Sequence, residues 1–127
     1  MSIQENILFG YEFDRARYEE TIRVCELERD LEALPGGDLT EIGERGINIS
    51  GGQKARISLA RAVYSEADIM VMDDPLSALD ANVRKKIFSN CLLKEFKSKT
   101  RILVTHALEF LPYTDTIVLM ERGWIVF

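Results

Sequence analysis

The sequence predicts an α/β protein in which a helical first half leads into a parallel sheet. Three observations carry that expectation. Ile69-Met70-Val71-Met72 and Arg101–Thr105 are short, mostly apolar runs of strand length. The stretch between them opens on Asp80 and has helical spacing, so the two strands would run parallel through a helical crossover. Before Tyr64 no such run occurs, and apolar residues return near every third or fourth position.

Taken in order, Ile3–Phe9 mixes polar and apolar residues and ends at Gly10, which predicts a loop or a single helical turn. Asp14 is placed to cap the next helix, where Tyr18, Ile22, Cys25, Leu31 and Leu34 recur near helical spacing. A break is expected near Leu27–Asp30, and Pro35-Gly36-Gly37 stops the helix. Asp38–Asn48 reads as a loop, with Gly43 and Gly46 bracketing Glu44-Arg45. Ser50 is the N-cap of a helix with Ile57, Leu59, Ala60 and Val63 on its apolar face and Lys54, Arg56 and Arg61 as polar partners.

Ile69–Met72, bounded by acidic residues, reads as a strand buried on both faces, with Pro75 ending it. Asp80 caps a helix through Phe96, with Val83, Ile87, Leu92 and Phe96 near one side. Arg101–Thr105 is a second buried strand, ending at His106. Leu108–Leu111 is a short helix stopped by Pro112. Thr116–Met120 and Trp124–Phe127 flank Arg122-Gly123 as a β-hairpin.

The 127 residues suit one domain or a piece of one, with 46% hydrophobic and 29% charged residues, an ordinary globular mix. The net charge of −5 argues against a nucleic acid partner held by phosphate neutralisation. It leaves room for a local anion site, because a helix N-terminus supplies partial positive charge by itself. Cys25 and Cys91 lack metal-ligand spacing and read as buried, reduced thiols. No apolar run approaches the ~18 residues that span a bilayer.

Ser50-Gly51-Gly52 opens a helix with a glycine pair, and glycines there let the backbone approach a phosphate. Asp73, Asp74 and His106 follow the ends of the two predicted strands. The functional crevice of an open α/β sheet lies at those carboxyl ends. One carboxylate there can hold Mg²⁺ through oxygen, the other can orient a water, and the histidine can donate to phosphate oxygens. Taken singly, each feature has a plainer reading as a solvated turn, a surface histidine or a capped helix. Their order and spacing together favour the chemical one.

Those same residues carry a resemblance. "ISGGQKARISLARAVY" (Ile49–Tyr64) resembles the signature motif of ABC-transporter nucleotide-binding domains. "ADIMVMDDPLSALD" (Ala67–Asp80) is similar to their Walker B strand and D-loop, and "ILVTHALEFL" (Ile102–Leu111) to their switch-histidine segment. "TEIGERG" (Thr40–Gly46) looks like the loop before the signature in exporters. "SIQENILFG" (Ser2–Gly10) looks like the entry to the helical subdomain in multidrug-resistance-associated proteins of subfamily C. The resemblance covers nearly the whole chain, with several motifs in the right order.

It implies a partial P-loop NTPase fold of the ABC ATPase type: a helical subdomain with the signature over 5–64, then the C-terminal half of the ATPase core over 65–127. It implies ATP and Mg²⁺ as cofactors. Ser50, Gly51 and Gly52, with Gln53 assisting, would close over the γ-phosphate of ATP held by a second nucleotide-binding domain packed head to tail. Asp73 would serve Mg²⁺. Asp74 stands where the family usually has a catalytic glutamate, and His106 would be the γ-phosphate switch. Ser77–Asp80 would be the D-loop that crosses the dimer interface. The transmembrane domains of the same transporter would be the other partner, at the cytoplasmic face of a membrane.

Two departures shape the expectation. The chain contains no GxxxxGK loop, adenine-stacking aromatic residue or glutamine loop, and Gln4 lies too close to "ENILFG" to be that glutamine. It therefore reads as the later part of a first nucleotide-binding domain, unable to hydrolyse ATP alone. The strand ending at His106 would lack its P-loop neighbour, and the bare sheet edge would favour self-association. Asp74 is an aspartate, which in the resembling subfamily marks a slow, ATP-holding site. A catalytically degenerate regulatory module is the competing expectation, and a non-transport ABC ATPase a further one.

Overall fold

Ser2 and Ser50 open two helices by the same device. The Ser2 hydroxyl accepts from the Glu5 N–H at 3.1 Å, and the Glu5 carboxylate accepts from the Ser2 N–H at 2.7 Å. This reciprocal cap makes Ile3–Leu8 a helix, α1, where the sequence suggested a loop or one turn. Ile3 and Ile7, one turn apart, are both buried by it. Phe9 ends it at φ 43°, in the left-handed region. The computed structural model describes all residues, Met1–Phe127.

α2 (Arg15–Val24) is capped by Asp14, as expected. The break comes earlier than expected, at Cys25–Leu27 with Glu26 at φ 55°, and Glu28–Asp30 already belong to α3 (Glu28–Ala33). Pro35-Gly36-Gly37 ends that helix. α4 (Gly51–Tyr64) starts at Ser50. It crosses α1, where Arg61 bonds the Asn6 backbone and side-chain oxygens at 2.7 and 2.9 Å and covers the Phe9 ring at 4.3 Å.

β1 (Ile69–Asp73) and β2 (Thr100–Val104) pair in parallel, with Ile69 opposite Thr100 and Asp73 opposite Val104. The connecting helix starts at Asp80 as α5 (Ala81–Ile87) and widens into a π-helical stretch, Phe88–Glu95. The Phe96 N–H reaches back five residues to the Cys91 carbonyl at 2.9 Å. Leu108–Tyr113 is a 3₁₀ segment that runs through Pro112 rather than stopping there. β3 (Met120–Glu121) and β4 (Trp124–Ile125) form a hairpin at the expected turn, with strands shorter than the expected Thr116–Met120 and Trp124–Phe127. Arg122 and Gly123, at φ 50° and 82°, give the mirror-image turn such hairpins need.

The strands are not buried on both faces. Met70 and Met72 point into the core, whereas Val71 is 71% exposed and Ile102 and Val104 about half exposed. No element of the chain packs over that second face, so a sequence pattern suited to double burial meets only single coverage. The core is one cluster of 21 buried residues drawn from both halves. At its seam Cys25 and Cys91 are free thiols 3.8 Å apart, and the Cys91 thiol donates to the Val24 carbonyl at 3.0 Å.

Candidate functional site

The first turn of α4 is held from two directions. Within the turn, the Ser50 hydroxyl accepts from the Gln53 N–H at 3.1 Å, and the Gln53 Oε1 accepts from the Ser50 N–H at 2.8 Å. Across to α3, Gln53 Nε2 donates to Asp30 Oδ1 at 3.0 Å. Arg56 grips both Asp30 oxygens, at 2.5 and 3.1 Å, and also donates to the Gly52 carbonyl at 3.2 Å and to the Glu26 carbonyl. The Arg56 and Asp30 side chains are only 14% and 18% exposed. Burial alone would raise the Asp30 pKa. The hydrogen bonds from Arg56 and Gln53 outweigh it and hold the carboxyl below its ordinary value.

Gly51 and Gly52 differ in their surroundings. A Cβ on Gly52 would sit 3.3 Å from the Ala78 carbonyl oxygen and 3.7 Å from Leu79, so this glycine lets α4 rest on the Asp74–Asp80 loop. A Cβ on Gly51 would meet nothing nearer than Ala78 at 4.0 Å, and Gly51 is exposed. Packing does not require glycine there. What its missing side chain leaves open is the N-terminal amide row of α4, a site that favours anions.

The loop after β1 is anchored by buried Leu76 and Leu79. Asp73 is exposed at the strand end. Asp74 turns to φ 47°, its N–H bonded to the Val104 carbonyl at 2.8 Å, a conformation Asp tolerates better than most residues. The exposed Ser77 donates to the Asp74 carbonyl at 3.2 Å. Asp80 caps α5 through the Val83 N–H at 3.0 Å. His106 is exposed two residues beyond Val104, at the same carboxyl edge of the sheet. A groove of about 320 Å³ separates α4 from this loop; Asp73 and Asp74 line it and His106 does not.

Thus Asp73, Asp74 and His106 share one sheet edge, and Ser50-Gly51-Gly52 abuts the Ser77–Asp80 segment. No three His, Cys, Asp or Glu side chains are grouped to hold a metal by themselves. A lone strand-end carboxylate suits Mg²⁺, which keeps its waters and takes its remaining ligands from phosphates. The Asp30–Arg56 pair was missed in the sequence, where Arg56 read as a polar partner. The sequence held a signal for Arg56 alone: with Ala60 and Tyr64, both buried, it forms a stripe at four-residue spacing that puts it on the inner side of α4.

A family profile described as "ABC transporter" matches residues 1–77. "ABC transporter C family member 8" of Dictyostelium discoideum is 56% identical over 128 aligned positions, covering 98% of this chain. The human proteins "ATP-binding cassette sub-family C member 2" and "sub-family C member 3" are 58% and 55% identical, again over 98% of this chain. The chain spans 8% of the length of each of these curated relatives.

Proposed function

This chain belongs to the ABC transporter family, on its sub-family C branch, and from that premise we propose that it is part of an ATP-binding domain that couples ATP binding to export across a membrane. The observation that supports it best is Gly51, an exposed glycine at the first position of a 14-residue helix with no packing reason to be one. It leaves amide donors open to an anion.

In this reading Ser50, Gly51 and Gly52 close on the terminal phosphate of ATP bound to a second nucleotide-binding domain, packed head to tail. Gln53 assists from the same turn. The Ser77–Asp80 segment crosses between the two domains, and His106 donates to the phosphate. Asp73 holds Mg²⁺, which neutralises phosphate charge when bound. Asp74 orients water, one methylene short of a glutamate, so the site retains ATP more than it hydrolyses it. Residues 5–64 form the helical subdomain facing the transmembrane domains, and 65–127 belong to the ATPase core at the cytoplasmic face. No helix here is long and apolar enough to cross a membrane. The aspartate at position 74 also favours a second reading, a regulatory module that binds ATP without turnover.

Gly51→Asp in the complete transporter tests the clamp. The new carboxylate sits on the amide row without disturbing packing, and ATP-dependent turnover should fall about 100-fold, as for loss of a key oxyanion donor. Unchanged turnover would overturn the proposal.

A further inference from the structure

The Gln53 amide is engaged at both ends, with one Nε2 hydrogen left over. Its Oε1 is occupied by the Ser50 N–H and its Nε2 by Asp30. The direction of the amide is forced. Ser50 offers an N–H, so Gln53 must turn its oxygen inward and its NH₂ outward, and the NH₂ then needs an acceptor. Asp30 supplies one, and Arg56 pairs the carboxylate and returns to the Gly52 carbonyl. The result is a closed ring, Ser50–Gln53–Asp30–Arg56–Gly52, around the turn that would face phosphate. Arg56 also holds the Glu26 carbonyl at the α2–α3 break, so the ring is tied to the neighbouring helices.

We propose that Asp30 is a positioning residue for the phosphate clamp: through one N–H of the Gln53 amide it fixes the Ser50-Gly51-Gly52 backbone, so that Gln53 serves the clamp as a brace. The inference rests on the clamp reading given above. It deepens that reading by adding a control point on α3, outside the signature itself.

The test uses the complete transporter, with affinities for ATP and ADP measured side by side. ADP lacks the phosphate that the clamp grips, so a fault confined to the clamp spares it. Asp30→Ala leaves the Gln53 NH₂ without its acceptor and should weaken ATP binding in the closed state about tenfold, the effect of one lost charge-assisted hydrogen bond, with ADP affinity unchanged. Asp30→Asn keeps an acceptor oxygen and should recover most of the loss. The double exchange Asp30→Arg with Arg56→Asp restores an ion pair but presents donors to the Gln53 NH₂. It should fail like Asp30→Ala, whereas a merely structural salt bridge would be rescued.

Equal losses for ATP and ADP, rescue by the double exchange, or failure of every variant to fold would each overturn the proposal. Gly51→Asp measured in parallel separates the two levels. If it abolishes the ATP response while Asp30→Ala does nothing, only the positioning role falls. If Gly51→Asp is also silent, the clamp reading itself falls.

Discussion

Gly51 and Gly52 are neighbours, yet they are glycines for different reasons. Gly52 is set by the Ala78 carbonyl 3.3 Å from where its Cβ would stand, and Gly51 by nothing in the fold. Gly51→Ala should therefore raise the melting midpoint of the complete domain slightly, since Ala is preferred over Gly in a helix by up to ~1 kcal/mol. Gly52→Ala should fall short of that gain, because the Ala78 carbonyl must give way by a few tenths of an ångström to admit the Cβ, and a melt in which both shift alike would refute the distinction. Asp74 poses a related contest. Asp74→Glu brings the carboxylate one bond nearer its water, and a misplacement of ~1 Å can cost about 100-fold in rate. The same change puts a less tolerant residue at φ 47°. Turnover of the complete paired domains should rise while stability falls, and a rate that does not rise would count against the geometric account. The places of the candidate site residues in the fold were legible because they stand at element ends, where N-caps and strand termini are marked by local chemistry. Asp30 was not, because its partner lies 26 residues away and no local rule pairs them. Its lowered pKa gives that pair a pH signature. The stability it confers is present above the ordinary carboxyl range and is lost as pH falls through the lower folded value.

Among the elements, α1 shows where periodicity fails as a guide. Six residues are too few to display a helical period, and the capping box with two buried isoleucines makes the helix instead. The helix from Asp80 was expected through Phe96 and does run there, but its second half widens to π geometry. No apolar spacing signals that change. The π-helical stretch carries Cys91 against Cys25 at the end of α2, so one thiol pair links the helical half of the chain to the strand half. The hydrogen bond with Cys91, and burial after it, push the Cys25 thiol well above its ordinary value. A group raised in the folded state stabilises the fold below its unfolded pKa, and that contribution drains away as pH climbs past 9.0 toward the folded value. The melting midpoint should accordingly decline in the alkaline range, and less so in Cys25→Ala. In native protein neither thiol should react rapidly with a water-soluble disulfide reagent, because both are fully buried. Prompt labelling below pH 8 would show that the α2–π-helix seam opens.

At the scale of the molecule, the accessible surface is 8681 Å², whereas a compact monomer of 14.5 kDa exposes about 6900 Å². The difference, about 1800 Å², is roughly twice the ~800 Å² that one partner contributes to a specific interface of standard size. It is not spread evenly. Val71, Ile102 and Val104 lie on the uncovered sheet face, and Leu119, Trp124, Ile125 and Phe127 stand out on the hairpin. The sequence conveyed the strands and their parallel order. It could not convey this exposure, because an apolar run reads the same whether its cover comes from its own chain or from elsewhere. The two-stranded sheet also offers unpaired backbone groups at its edges, and such edges recruit strands from other molecules. For the 127-residue chain by itself, a second copy is the occupant at hand, since it carries the same apolar face and the same free edge. Sedimentation velocity over increasing protein concentration should show dimers or larger species growing in. Val71→Lys with Ile102→Lys should suppress them, because a charge on each strand makes both coverage and pairing costly. The two substituted side chains are more than half exposed, so the core has no reason to change. A monomer that persists at high concentration and melts cooperatively would mean that the uncovered face is tolerated in water, and the account of the excess surface would fail.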